Sequence, residues 1–379
     1  MSPDPWSNLR AQMPVTRKWA YLDHAAVCPL SGPAEREIAD WTEDTAINGD
    51  VNWGRWAARV EEVRTLACRL IGAKPAEIAL VRNTTEGIGL VAEGFPWRDG
   101  DNVVVPSREF PSNIYPWQNL ADRGVETRLV PNVDGRLDLD ELAAACDART
   151  RIVAASWIGY ATGWRNDVDA LAEIAHRHGA LFFLDAIQGL GAFPLDVSKT
   201  PVDFLAADGH KWLLGPEGAG LLYVRREHLD RLRPILVGWN SVRHAAQFDK
   251  ISLDLKDSAA RYEGGTYPMA GFVGLAASLE LLLSLDRAQA AARIIDLTDL
   301  ACERLKEVGA VVASSRESAT KSGIVAFEMP GKDHAKVRLA CLAGGVALAV
   351  RSGRLRISPH AYNTPEDIAR LIEALKDFS

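Results

Sequence analysis

The stretch GHKWLLGPEGAGLLYV, residues 209–224, contains the side chain with the clearest chemical potential, Lys211. This lysine stands between an apolar run typical of a buried strand and a glycine-rich turn that leads into another apolar run. Because burial disfavours the charged ammonium, a lysine in such a position has a lowered pKa and can act as a nucleophile. By composition alone a solvated loop lysine is the commoner case. Both interpretations stay open at this point.

Two further segments carry polar groups where apolar runs end. LFFLDAIQGLG, residues 181–191, ends its apolar run in Asp185, and Gln188 follows. Ligands of open α/β sheets bind beyond the carboxyl ends of the strands, so this carboxylate can meet a cationic ligand group, with a helix N-cap as the alternative. RNTTEGIGLVA, residues 82–92, opens a predicted helix with Thr84 and Thr85, whose hydroxyls and backbone N–H groups suit a phosphate.

The polar groups of these segments can form one site only if a sheet brings the ends of their strands together. From about Ile78 to Val224, short β-branched runs alternate with longer amphipathic runs, which predicts strands joined by crossover helices in a mainly parallel sheet. The predicted strands are Ile78–Val81, Asn102–Val105, Thr127–Val130, Arg151–Ala155, Leu181–Leu184, Phe204–Ala206 and Gly220–Val224. Val168–His178 has helical apolar spacing and is followed by a capping Gly179.

The alternation ends after about Leu229, and the rest of the chain indicates a second, smaller domain. An apolar helix is predicted at Gly271–Leu285. Beyond it the pattern predicts a helix, a strand at Ile324–Phe327, a helix at Lys332–Leu342, strands at Val346–Val350 and Arg354–Ser358, and a helix from Pro365. We therefore expect an N-terminal segment at 1–20, a large α/β domain with a seven-stranded sheet at 21–265, and an interdomain helix with a small α+β domain at 266–379.

The composition excludes several classes of function. The chain has 379 residues, of which 47% are apolar and 25% charged, as in ordinary globular proteins. The net charge of −7, from 43 basic and 50 acidic residues, argues against a nucleic-acid partner. No apolar stretch approaches the ~20 residues that span a bilayer, so we expect no membrane role. Five scattered cysteines without a C-x-x-C pair, and an opening MSPDP without signal-peptide features, favour a cytoplasmic protein with no metal site.

Taken together, the three polar segments resemble the class V aminotransferase family of pyridoxal-phosphate enzymes of fold type I, the branch with cysteine desulfurases, selenocysteine lyases and isopenicillin N epimerase. The resemblance runs from YLDHAA (21–26) to RISPHAYNTPEDI (356–368). It implies that Lys211 holds the cofactor as a Schiff base and moves the α-proton of an amino-acid substrate. It implies that Asp185 pairs with the pyridinium nitrogen and that Gln188 bonds the phenolate oxygen.

The same resemblance implies further contacts to cofactor and substrate. Thr84, Thr85 and His210 would hold the phosphate, joined by Thr266 from the second subunit of a homodimer. Phe110 of EFPSNIYPWQ would stack on the cofactor ring. Arg356 would clamp the substrate carboxylate through its bidentate guanidinium, Arg351 is a second candidate, and His24 of YLDHAA is assigned to the substrate side.

Three departures from the family pattern bear on the reaction. In the desulfurases a long loop with a persulfide-forming cysteine separates the two arginines, whereas only residues 352–355 lie between Arg351 and Arg356 here. Phe110 replaces a histidine that can exchange a proton, and Tyr160 replaces an asparagine, so its phenol is either a catalytic acid or a packing group. Asp208 stands where relatives often have a phosphate-binding serine, a position in which a carboxylate is repulsive unless bridged or turned away.

From these features we expect an aminotransferase that works through an external aldimine and α-proton abstraction by Lys211. The alternatives are a desulfurase-like C–S lyase that uses β-elimination and no persulfide cysteine, and an amino-acid epimerase. A dimer that binds the cofactor without catalysis is the non-enzymatic alternative. The joint presence of Lys211, Asp185, Gln188 and Arg356 argues against that last hypothesis.

Overall fold

A computed structural model describes residues 4–378 of the chain. The helices, numbered in chain order, are α1 Pro5–Ala11, α2 Gly32–Asn48, α3 Trp53–Ile71, α4 Thr84–Gly94, α5 Tyr115–Gln118, α6 Leu139–Ala145, α7 Val168–Arg177, α8 Met269–Leu283, α9 Arg287–Glu307, α10 His334–Ala343 and α11 Pro365–Leu375. The strands are β1 Ala20–Tyr21, β2 Ile78–Val81, β3 Asn102–Pro106, β4 Glu126–Val130, β5 Asn132–Val133, β6 Arg136–Leu137, β7 Thr150–Ser156, β8 Leu181–Asp185, β9 Phe204–Asp208, β10 Gly220–Val224, β11 Val311–Val312, β12 Val325–Glu328, β13 Val346–Ala347, β14 Ala349–Arg351 and β15 Arg354–Ile357.

The predicted seven-stranded sheet is present, with strand order β2-β10-β9-β8-β7-β3-β4. Its strands are parallel except β10, which runs antiparallel to both β2 and β9. Buried apolar side chains form a separate core on each face of the sheet, as expected for strands covered on both sides. The crossover connections therefore bring the carboxyl ends of β2, β3, β7, β8 and β9 to one edge.

The helix predicted at Val168–His178 is observed as α7, which starts at the predicted residue and ends one residue earlier. Helix α7 begins at Val168 behind an Asp167 cap and ends at Arg177. Gly179 follows with φ +70°, the left-handed conformation in which glycine is favoured. The buried face of helix α7 consists of Val168, Leu171, Ala172, Ile174 and Ala175.

Four strands of the large sheet, β3, β7, β8 and β9, run further at their carboxyl ends than predicted, whereas β15 of the small sheet ends one residue earlier than predicted. Strands β8 and β9 include Asp185 and Asp208, and β7 includes Ser156, because the ladder hydrogen bonds continue through these polar residues. Hydrophobic patterning cannot show this, since it ends each strand at the first polar side chain. The residues that face the site are thus the last residues of the strands themselves.

The C-terminal part is an α+β unit with a four-stranded antiparallel sheet of order β11-β12-β15-β14. The strand predicted at 346–350 is two strands, because β13 pairs with β1 while β14 pairs with β15. Ala20, the last residue of the expected N-terminal segment, and Leu22, which was assigned to the large domain, both lie in the core of this small unit. Helix α8 packs against the core that contains α3.

Among residues 4–378, no single helix has the length and apolarity to cross a bilayer. The pair α8 and α9 passes that test by length and composition only when taken together across an 88° bend.

Candidate active site

A cavity of about 410 Å³ opens at the carboxyl edge of the large sheet. Ten of the residues singled out from the sequence line it: Thr84, Thr85, Phe110, Tyr160, Asp185, Gln188, His210, Lys211, Arg351 and Arg356. They come from chain segments up to 272 positions apart (356 − 84), and the fold brings them around one space. His24 and Thr266 do not line it.

Lys211 is 8% exposed and follows the end of β9 by three residues. Burial lowers the pKa of its ammonium to about 8, and the guanidinium groups of Arg356 and Arg351 also lower it, against the opposing charges of Asp185 and Asp208. Its Nζ lies 5.6 Å from the centroid of the Phe110 ring. The neutral form that a nucleophile requires is therefore far more populated near neutral pH than in an exposed lysine.

Asp185 is the last residue of β8 and is 2% exposed. Burial raises the pKa of its carboxyl to about 6, although the backbone N–H of Ile187, 3.1 Å away, and the charge of Lys211 oppose this. A buried carboxylate gains from a cationic partner because the pair offsets its lost hydration. Asp185 is thus suited to a protonated ring nitrogen in the cavity.

Gln188 is held with a fixed amide orientation. Its Nε2 donates to the carbonyl of Ala25 at 2.9 Å, and its Oε1 accepts from the Trp212 indole N–H at 3.0 Å. A flipped amide would set oxygen against the Ala25 oxygen and N–H against the indole N–H, so both partners select the same orientation. The second N–H of Nε2 stays available as a donor to a ligand oxygen.

The phosphate-type contacts predicted at the start of α4 lie at one end of the cavity. Helix α4 begins at Thr84 behind an Asn83 cap, and Gly87 lets it pack closely on the sheet, since a Cβ there would lie 2.9 Å from Ala206 Cβ. The first N–H groups of a helix have no partner within the helix. The hydroxyl of Thr84 is buried without a hydrogen bond, and that of Thr85 donates to Ser112 at 2.8 Å.

His210 and Asp208 stand together at the same end. The Nδ1 of His210 lies 3.0 Å from the Oδ1 of Asp208, but the two atoms are not aligned for a hydrogen bond and both lack another partner. The carboxylate that departs from the family pattern therefore stands directly beside a histidine at this end of the cavity.

Phe110 and Tyr160 form one aromatic wall, with ring centroids 5.3 Å apart in an edge-to-face arrangement. Phe110 is 44% exposed toward open space. The preceding residue, Glu109, holds this segment to the end of β7 by accepting hydrogen bonds from the backbone N–H of Ser156, at 2.9 Å, and from its hydroxyl. Desolvation, together with the charge of Asp185, raises the pKa of Glu109 to about 7 against the opposing hydrogen bonds from Ser156.

Arg356 is 1% exposed on β15 and already has two partners. It donates to the carbonyl of Tyr160 at 2.7 Å and to Asp23 Oδ1 at 3.2 Å, while its Nε is buried without a partner. A guanidinium has five N–H groups, so three remain for a substrate carboxylate. Arg351, in contrast, is exposed and donates only to its own strand at Val350.

The structure places two predicted site residues elsewhere. His24 is fully buried, with Nδ1 on the Ser358 carbonyl and Nε2 on the Tyr362 hydroxyl, both at 2.9 Å. Both ring nitrogens are used, so His24 joins the N-terminal segment to the small domain rather than binding a ligand. Thr266 is exposed in a separate groove that Arg82, Glu86 and Val237 also line.

Sequence reasoning missed Asp23, Trp212 and Glu109, which hold Arg356, Gln188 and Phe110 in place. Asp23 stands directly beside His24 in the motif YLDHAA, and Trp212 beside Lys211. Their positions in known motifs were a usable signal. Their partners, however, lie 24 to 333 positions away, and a sequence pattern does not show such pairs.

The departure predicted between Arg351 and Arg356 is a tight hairpin. Strands β14 and β15 pair from Arg351 with Arg354, so the turn consists of Ser352 and Gly353 alone. Both have positive φ, +49° and +79°, which is the type I′ geometry. All five cysteines are buried. Burial raises the pKa of the Cys341 thiol to about 11, and that residue lies in the core of the small domain.

These residues fit pyridoxal phosphate by their chemistry. A partly neutral lysine, a buried carboxylate without a strong counterion, a free amide N–H and an unpartnered threonine hydroxyl at a helix N-terminus supply complementary groups for its aldehyde, ring nitrogen, phenolate and phosphate. The buried unpartnered atoms in particular indicate that this cavity takes a polar ligand.

Comparisons with known proteins agree with this arrangement. The model of the family described as "Aminotransferase class-V" matches residues 21–371. A probable cysteine desulfurase of Methanothermobacter thermautotrophicus is 30% identical over 98% of both chains, and a cysteine desulfurase of Klebsiella pneumoniae is 33% identical over 84% of this chain and 82% of its own.

Solved structures are similar across the whole chain. A cysteine desulfurase of Escherichia coli is 28% identical with a TM-score of 0.88 and covers 99% of this chain and 98% of its own. A mutant of the protein C-DES with glycine covalently linked to its pyridoxal-phosphate cofactor shares the fold, with a TM-score of 0.92 over 100% of both chains at 23% identity. The chain therefore belongs to the class V aminotransferase family of pyridoxal-phosphate-dependent enzymes of fold type I.

Proposed function

We propose that this enzyme is a C–S lyase that cleaves an amino acid with a sulfur on its β-carbon by β-elimination and forms no persulfide on its own cysteines. The named relatives are cysteine desulfurases, which favours this lyase over the aminotransferase expected first from the sequence. The observation that carries the proposal is the two-residue turn Ser352–Gly353, which leaves no loop for a cysteine at the cavity.

In this proposal each residue of the site has a defined task. Pyridoxal phosphate, when bound, supplies an electron sink for the pair left at the substrate α-carbon. Lys211 would hold the cofactor through Nζ, and the same nitrogen would take the α-proton of the bound substrate. Asp185 keeps the ring nitrogen protonated, and Gln188 donates to the phenolate oxygen. Arg356 orients the substrate through its carboxylate, so that the α-hydrogen faces Lys211.

The phosphate end and the aromatic wall complete the site. Thr84, Thr85, the α4 N-terminus and His210 bind the phosphate. Phe110 stacks on the ring, and Tyr160 flanks the sulfur side as a packing group or an acid. Lys211, Asp185 and Arg356 are each less than a tenth exposed, so these charged groups have lost most of their own hydration.

We also propose that the enzyme is a homodimer in which Thr266 of the partner subunit reaches the phosphate. Apolar side chains cluster on the segment 235–253, where Phe248 is 71%, Ile251 93% and Leu253 73% exposed. Such a cluster of exposed large apolar side chains is suited to a protein interface. Thr266 stands beside this segment and outside the cavity of its own chain.

The test is product analysis with the holoenzyme. L-cysteine and S-substituted L-cysteines are supplied without any 2-oxo acid, and pyruvate, ammonium and the released sulfur compound are measured. Stoichiometric pyruvate and thiol are expected, with none from the Lys211→Ala variant. Turnover only after a 2-oxo acid is added would reject the lyase and support transamination, and a racemised substrate without cleavage would support the epimerase.

A further inference from the structure

A second cavity of about 540 Å³ adjoins the cofactor cavity. Tyr160 and Arg351 line both, so they form the boundary between the two spaces. The second cavity lies between the large and small domains, and two hairpins flank it, β5–β6 with its turn Asp134–Gly135 and β14–β15 with its turn Ser352–Gly353. It has no role in the chemistry assigned above to Lys211 and Asp185.

The short hairpins account for this space. All four turn residues have positive φ, as two-residue type I′ turns require, and such turns add no chain beyond the strand ends. Arg354 links the hairpins, since it lies 2.7 Å from Glu328 and 3.3 Å from Asp134. The cavity is therefore a built feature with fixed walls rather than a gap between mobile loops.

The second cavity is lined by acids that are already paired and by two exposed arginines, Arg108 and Arg351. Among its acids, Asp134 and Glu328 are paired with Arg354, and Glu109 accepts two hydrogen bonds from Ser156. Arg108 and Arg351, in contrast, form no ion pair within residues 4–378. Guanidinium groups bind carboxylates in a bidentate geometry, so the cavity is suited to an anionic group.

We propose that the second cavity binds the acidic far end of an S-substituted L-cysteine whose amino-acid end lies beside Lys211. This rests on the C–S lyase function proposed above and names its substrate class. A substrate that ended at the β-sulfur would leave the second cavity unused, whereas a substituent of a few heavy atoms on that sulfur passes Tyr160 and Arg351 and meets Arg108.

The reaction balances without a further reactant except water. Lys211 Nζ takes the α-proton, and the C–S bond breaks with its electron pair on sulfur, which leaves as the thiolate of the substituent. The three-carbon remainder, 2-aminoacrylate, takes up water and gives pyruvate and ammonium. Because the thiolate leaves with its substituent attached, no enzyme cysteine has to accept the sulfur.

The experiment compares S-(2-carboxyethyl)-L-cysteine with its uncharged counterpart S-propyl-L-cysteine on the holoenzyme. We expect kcat/KM to favour the acidic substrate by about tenfold or more, the size of one charge-assisted hydrogen bond. Arg108→Gln should bring that ratio near one, while Arg177→Gln, on the remote helix α7, should leave it unchanged. Equal kcat/KM for both substrates in the unmodified enzyme would overturn the proposal.

A binding measurement separates failure of this proposal from failure of the lyase function. If no amino acid yields pyruvate, the lyase function is wrong, and both compounds are then titrated against the visible absorbance of the holoenzyme. Tighter binding of the acidic compound that is lost in Arg108→Gln would still support the second site. Identical dissociation constants for the two compounds would reject it.

Discussion

Burial changes the pKa values of individual side chains in this enzyme in the direction that their proposed roles require. Lys211 and Asp185 lie in one cavity and are both almost fully desolvated, so the pKa of the ammonium falls to about 8 while that of the carboxyl rises to about 6. Each shift makes the group less charged than it would be in water. The protein thus carries a cost in stability for a site that is ready to bind a cationic ring and an aldehyde.

Asp185→Asn should stabilise the apoenzyme at pH 8 even though it impairs cofactor function. The folded pKa of about 6 lies above the ordinary 3.8, so ionised Asp185 disfavours folding, and this loss grows as the pH rises from 3.8 through 6. The difference between these two pKa values predicts a gain of about 1–3 kcal/mol at pH 8 and almost none at pH 4. Urea unfolding of the apoprotein measures it.

The control is Asp249→Asn, an exposed carboxyl on the surface. It should change the unfolding free energy by less than about 0.5 kcal/mol at either pH. An Asp185→Asn variant less stable than the parent at pH 8 would show that the Asp185 carboxylate gains a stabilising partner in the folded apoprotein, and this would contradict the destabilising burial inferred for it.

At the scale of elements, the hairpin β14–β15 decides which chemistry the small domain can bring to the cavity. Its type I′ turn is anchored from α10, where His334 Nδ1 donates to the Gly353 carbonyl at 2.6 Å and Nε2 accepts from the Met329 N–H at 3.1 Å. This arrangement holds Arg351 and Arg354 on either side of the turn. The short connection thus fixes both arginines beside the second cavity.

Gly353→Val and Ser352→Asn should change stability in opposite directions. A Cβ on Gly353 would contact nothing within 4 Å, so valine costs only backbone strain at φ +79°, about 1–2 kcal/mol. Asparagine at 352 creates the Asn-Gly pair that type I′ turns favour and should be neutral or stabilising by a few tenths of a kcal/mol. Guanidinium unfolding compares the two, and equal effects would contradict the type I′ assignment.

At the scale of the whole molecule, one dimer interface would account for both the exposed apolar surface and the incomplete phosphate end of the cofactor site. The segment 235–253 exposes several large apolar side chains beside Thr266, and a second copy of the chain can cover them while completing the phosphate end of the cavity. The monomer by itself leaves that end without the threonine that the family resemblance assigns to it.

The double variant Phe248→Asp/Ile251→Asp should be monomeric and should bind pyridoxal phosphate about tenfold more weakly, because two buried charges are too costly for the interface. Sedimentation velocity and titration of the apoprotein with cofactor measure the two effects. Thr266→Ala should weaken cofactor binding in an intact dimer, and Leu339→Asp on α10 should do neither. A monomer that binds the cofactor with unchanged affinity would refute the shared site.

Hydrophobic alternation, a local property of the chain, predicted the sheet and its strands, and the resemblance to the class V family supplied most of the ten predicted residues of the cavity wall. The sequence also showed that the cysteine loop is missing. The pattern did not predict that β7 continues to Ser156 and β9 to Asp208, since polar residues can continue a ladder beyond the apolar run.

Only the tertiary structure shows which hydrogen-bond partners hold the site residues in place. His24 is a buried structural residue because Ser358 and Tyr362 use both of its nitrogens, and Arg356 is oriented by Asp23, 333 positions away. The fixed amide of Gln188 depends on Trp212, and the second cavity exists because two tight hairpins face each other across the domains. Such contacts arise from packing between distant segments, and no periodicity along the chain records them.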